Sequence, residues 1–224
     1  MKRFDYISFY DSVSNENIED ILRNEYSTNI DEKNFALISQ HLLLPKKRMI
    51  VLMYLQKIPT YPISLLHLMF KAGISETDPS ANGYFIKPYI ELLGVQKVSD
   101  LLFDYYYNGN DLMKTGVLKV FYHVHWDYYD WDEKEQRIVE DIELKRVLKL
   151  EYEERKRKLL IEYQKCDNLV MKFFYQWALP NERDGILKGL PESSEDLVKF
   201  IKGDARLETF YQQYRKGDYY DPQK

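Results

Sequence analysis

The sequence predicts an all-α chain whose successive helices pack as antiparallel pairs. Apolar residues recur at three- and four-residue steps through most of the 224 positions. Nine glycines and eight prolines are few for an all-β chain, which must turn often. A hydrophobic fraction of 45% with 15% aromatics supplies enough apolar surface for a sizeable core.

The elements follow in order. Phe4, Tyr6, Phe9 and Tyr10 are scattered without a period. Ser14 reads as a helix N-cap ahead of Ile18, Ile21 and Leu22 on one face. Asp31 caps a second helix carrying Phe35, Leu37, Ile38, Leu42 and Leu43. Pro45 suits a first turn, where its missing N–H costs nothing, and KKRMIVLMYLQK after it is apolar nearly all round, hence central. A further helix runs from about Tyr61 to Ala72 and stops at Gly73. SETDPSANG, residues 75–83, is the strongest loop signal and is expected to break two helical layers.

YFIKPYIELLG ends at Gly94, with Pro88 forcing a kink or a late start. Val95, Val98, Leu101, Leu102 and Tyr105 form a stripe; NGND (108–111) turns the chain; Met113, Val117, Val120, Phe121 and Val124 form the partner stripe. Gly116 inside that helix costs roughly 1 kcal/mol against alanine, so a close helix contact is expected to compensate. DYYDWDE (127–133) breaks the period. A long helix is expected from about Asp132 to Gln164, with Ile138, Ile142 and Leu148 inward and the polar run EYEERKRK (151–158) projecting into solvent or bending. NLVMKFFYQWAL restores a buried face. Residues 181–192 read as a loop, Ser193 or Ser194 caps EDLVKFIK, Gly203 stops it, and a last helix carries Leu207, Phe210, Tyr211 and Tyr214 ahead of a frayed tail.

No repeat of fixed length spans the chain. The stretch PYIELLGVQKVSDLLFDYYYNGNDLMKTGVLKVFYHV nevertheless resembles HEAT-like helical-repeat proteins over about residues 84–125, with its short helix ending in Leu-Leu-Gly, a helix, an Asn-Gly turn and a third helix. The resemblance implies a short, irregular HEAT/ARM-like α-solenoid acting as an interaction scaffold, with no catalytic residues to carry over; an irregular helical bundle is the alternative. Residues 1–224 are expected to be one helical domain with sub-layer breaks near 75–83 and 181–192.

Composition narrows function mainly by exclusion. A net charge of −4 and a pI near 5.7 argue against nucleic acid as partner, which needs a basic stripe. Cys166 is the only cysteine, so one chain builds neither a disulfide nor a cysteine-based zinc site. Asp5 interrupts any signal-peptide core, and the apolar stretch Met49–Leu55 is far below the ~20 residues that span a bilayer. A cytoplasmic protein without membrane partners or cofactors is expected.

The one constellation suggesting catalysis is His123-Val-His125-Trp126-Asp127. On a helix the two histidines lie about 200° apart at ~100° per residue and cannot share an ion, whereas His123 and Asp127 share a face. A metal-assisted hydrolase using His123, His125 and Asp127 is therefore the runner-up; it needs a further ligand, and His41 and His67 read as core histidines. Cys166 reads as a structural thiol, and Arg155–Lys158 as a solvated helix face. Tyrosine stands out at 20 residues, with YYY at 105–107. Tyr106, Tyr107, Tyr128, Tyr129, Asp130, Trp131 and Asp132 make an aromatic, acidic ridge of the kind that binds protein. The leading expectation is a non-enzymatic interaction or scaffold protein that docks another protein; an inhibitor or immunity-type partner is a subtype, since acidic aromatic surfaces suit basic targets.

Overall fold

The structure, a computed structural model, describes residues 32–55, 63–125, 129–132 and 137–217. Among them the chain is helical apart from one two-stranded hairpin. It divides into two compact units, Met1–Ala72 and Gly73–Lys224. The helix expected after Ser14 lies outside the described residues.

In the first unit, α1 (Glu32–Leu43) packs on α2 (Pro45–Leu55). Ile38 and Leu42 of α1 and Val51, Leu52 and Leu55 of α2 are buried. The sharp turn at Leu44 is held from the side: the buried Arg48 donates from Nε to the Leu42 carbonyl at 2.9 Å. α3 (Ile63–Ser75) buries Leu65, Leu66, Met69 and Phe70 and carries the chain into the second unit.

The expected loop at 75–83 is mostly helix. Asp78 caps α4 (Pro79–Leu93) by accepting from the Ser80 amide at 2.8 Å, and Pro79 occupies the first turn, so the loop shrinks to three residues. The turn signals were cap signals. Pro88 sits inside α4, which neither starts late nor ends there. α5 (Val95–Asn108) and α6 (Asp111–Val120) follow, the latter capped by Asn110 accepting from the Met113 amide. α4, α5 and α6 all pack on one another, and a 3-10 turn, Phe121–His125, extends the last.

Beyond it the expectation of a helix from Asp132 fails. Strand β1 (Tyr129–Asp132) pairs antiparallel with β2 (Arg137–Glu140), and α7 (Ile142–Lys165) begins only after Asp141 caps it. Ile142, expected inward, is 77% exposed. α8 (Leu169–Ala178), a 3-10 turn (Pro180–Glu182), α9 (Ser194–Ile201, capped by Ser193) and α10 (Ala205–Lys216, closed by Gly217 in the left-handed region) complete the chain.

α6 is the hub of this unit. It packs against α4, α5, α8 and α10, and Thr115 through Val120 are all buried. Even Lys119 is buried, its ammonium 5.2 Å from the Tyr214 ring centre on α10. Gly116 makes that enclosure possible, because a Cβ there would collide with the carbonyl and side chain of Ile74. Gly116→Ala should therefore destabilise the protein by about 1–3 kcal/mol through overpacking, despite alanine's better helix propensity; urea unfolding followed by circular dichroism measures it.

Candidate functional site

The adjacent tyrosines 105–107, of which Tyr106 and Tyr107 belong to the expected ridge, separate as a helix must separate consecutive residues. On α5 the buried positions are Val95, Val98, Ser99, Leu102, Phe103 and Tyr106, a stripe rotated by about one residue from the one predicted. Tyr107 is 53% exposed and stacks on Phe103, whereas Tyr106 is 2% exposed. Tyr106 is thus a correction to the predicted surface: its hydroxyl lies 2.5 Å from that of Tyr175 on α8. Burial raises both phenols well above their ordinary range, so each stays a neutral hydroxyl.

The rest of the ridge is carried by the hairpin. Tyr129, Asp130, Trp131 and Asp132 form β1 and pair with Glu140, Val139, Ile138 and Arg137 in that order. Tyr128, Trp126 and Asp127 lie outside the described residues.

Both histidines of the catalytic candidate fall in the 3-10 turn. His123 is engaged from two sides. Its Nε2 is 2.7 Å from the Pro79 carbonyl, and a Cβ on Gly83 would stand 2.8 Å from its Nδ1. Among the described residues no group of three or more His, Cys, Asp or Glu is placed to hold a metal ion. Of the histidines read as core residues, His41 is buried beside Lys47, with Nζ 3.1 Å from Nε2, but His67 is exposed on α3. Cys166 is buried, its thiol 3.5 Å from the Asn168 carbonyl, and burial pushes its pKa up, which disfavours the nucleophilic thiolate.

The densest polar chemistry sits where solvent was expected. In the middle of α7, Glu151 and Arg155 are essentially inaccessible and form an ion pair at 3.2 Å. Ser99 of α5 donates to the other Glu151 oxygen at 2.5 Å, Arg155 Nη1 donates to the Phe121 carbonyl at 3.3 Å, and the guanidinium lies between the rings of Phe121 and Tyr152. The neighbouring bases are engaged as well: Lys156 pairs with Glu182 at 2.6 Å, and Lys158 pairs with Glu154 while lying 4.6 Å from the Phe103 ring centre. Arg155, Lys156 and Lys158 therefore fasten α7 to its neighbours, and of the four bases only Arg157 is exposed as a solvated face would be. The signal available in sequence was the Glu–Arg spacing of four, with Tyr152 and Leu159 on the same side.

The Glu151–Arg155 pair at the centre of this network binds helices together and is enclosed by protein. Compared with known proteins, the chain matches no family model, no curated protein and no solved structure.

Burial pushes the Glu151 carboxyl up, with Arg155 and Ser99 partly opposing it, and burial brings Arg155 down to about 10. A raised carboxyl contributes stability that is present below the unfolded value of about 4.3 and lost as pH rises through the folded one. Arg155→Met removes the counter-charge and should cost about 3–5 kcal/mol at neutral pH. It should also make stability fall more steeply with rising pH than in the wild type, a slope that Glu151→Gln abolishes; urea midpoints across the pH range test both. For the tyrosine pair, Tyr106→Phe should cost about 1–3 kcal/mol by stranding the Tyr175 hydroxyl. Tyr106→Phe with Tyr175→Phe should recover part of that loss in a double-mutant cycle.

Proposed function

We propose that this chain is a non-enzymatic interaction protein, a helical scaffold that docks another protein through the acidic, aromatic segment Tyr128–Asp132, with Tyr107 as a further exposed aromatic. The observation that supports this reading is the placement of that segment. Tyr129–Asp132 is drawn out as a strand whose outer edge has no pairing strand among the described residues. An open edge supplies backbone hydrogen bonds to an incoming segment, while two aspartates in four residues favour a basic one. The buried polar groups of α7 and the tyrosine pair support the same reading by a different route: their hydrogen bonds are made to the protein itself.

The partner fits a basic protein in the same compartment, here taken as the cytoplasm, and an inhibitor or immunity-type role is the subtype that acidic, aromatic docking suits. Regular HEAT-like stacking belongs to the proposal as well. Its support is the mutual packing of three consecutive helices, α4, α5 and α6.

Affinity capture with the full chain tests the reading when run beside a Tyr129→Ala/Asp130→Ala/Trp131→Ala/Asp132→Ala variant. A basic protein should be retained by the wild type, released at about 0.5 M salt as charge is screened, and lost with the variant. Equal retention by both chains, or retention insensitive to salt, sinks the proposal.

A further inference from the structure

α7 is held to its neighbours along one side, and the opposite side carries apolar residues that the chain leaves in solvent. Leu150 is 60% exposed and Ile161 49% exposed. Glu154 and Arg157, both exposed, lie between them. Spacings of four, three and four place these side chains on one stripe, within about 60° at ~100° per residue. That is the a and d spacing of a coiled-coil seam. Glu154 pairs with Lys158 of its own helix, whereas Arg157 makes no ion pair among the described residues.

Isolated apolar residues on a surface are ordinary; here their order with the two charges specifies an occupant. Read from either end, the stripe is apolar, charged, charged, apolar, and reversal exchanges the acid and the base. Lay a second α7 antiparallel against it, with a two-fold axis crossing between the levels of Arg155 and Lys156. Glu154 then lies level with Arg157 of the second copy, and Leu150 level with its Ile161. The axis repeats both matches. Each layer joins one a position to one d position, so the two stripes face each other at every level. A parallel pairing would set Glu154 against Glu154 and Arg157 against Arg157. A slip of one heptad would set Leu150 against Glu154, or Ile161 against Arg157. Charge and apolarity agree only in the antiparallel register.

We infer that the exposed stripe of α7 docks a second copy of this chain, as an antiparallel helix pair about a two-fold axis. The leucine and isoleucine supply the burial, and the charges set direction and register. Such a contact is isologous, so it closes at two subunits and does not propagate. Four layers bury less than a standard interface, so the dimer is weak and concentration-dependent. It uses no residue of the β1 segment, which makes the inference independent of whether a basic partner docks there.

Sedimentation equilibrium of the full chain between about 10 and about 500 μM tests it. The wild type should move from monomer toward dimer mass across that range. Arg157→Glu sets glutamate against glutamate in both central layers, and Glu154→Arg sets arginine against arginine. Each alone should raise the dissociation constant about tenfold or more. An equimolar mixture of the two variants restores opposite charges in both layers and should return dimer mass. The double variant Glu154→Arg/Arg157→Glu carries the same restoration in one chain and should match the wild type. A wild type that stays monomeric throughout overturns the inference, as does an Arg157→Glu chain that associates as tightly as the wild type. So does a double variant with wild-type circular dichroism that fails to regain association, or a mixture of two such folded single variants that stays monomeric.

Discussion

Residues 73–224 are organised by the enclosure of α6. A helix enclosed from Thr115 to Val120 must satisfy two conditions there: no bulk where another backbone passes, and no polar group without a favourable setting. Gly116 meets the first by admitting the Ile74 carbonyl. The second falls on Lys119, whose stem is covered and whose ammonium rests near the Tyr214 ring. The C-terminal helix α10 thereby closes the hub instead of lying on it, and α8 packs along α6 more extensively than any other element does. The remaining helices are arranged by which flank of α6 they reach.

α7 joins this assembly by different means. Its first turns are almost wholly exposed, and only from Leu148 does a continuous buried stripe begin. Apolar contact along that stripe is interrupted by Glu151 and Arg155, so its register depends on oxygens and nitrogens meeting specified partners. Desolvating a charge pair is expensive, and the net contribution to stability is small. Directionality is what the arrangement adds. A helix held by leucines tolerates a small slide, whereas one held by Ser99, Phe121 and Glu182 together loses all three contacts at once.

Much of the fold could be read from the sequence, and the misreadings share a cause. The helices between Val95 and Val120 followed from period, glycine stop and Asn-Gly turn, because each signal is local. The hairpin did not, since Ile138 and Ile142 are four apart and mimic a helical face, while the alternation in RIVE is only four residues long. Glu151 and Arg155 were ambiguous for a similar reason. A spacing of four describes a solvated pair as well as a buried one, and the deciding partner, Ser99, lies 52 residues earlier. Among three adjacent tyrosines, periodicity located the buried stripe to within one residue, which was enough to interchange Tyr105 and Tyr106. Of the candidate surface, Tyr107 was legible as exposed, and β1 was legible as a break in helical order but not as a strand.

The contact of Gly83 with the His123 ring carries a consequence for sequence change. The imidazole fills the space in front of α4 that a side chain at position 83 would need, and its Nε2 is fixed by the carbonyl four residues before Gly83. A side chain at position 83 is admitted only if the imidazole moves aside or a smaller residue takes its place, so an alanine at 83 should sit more easily beside a slimmer residue at 123 than beside histidine.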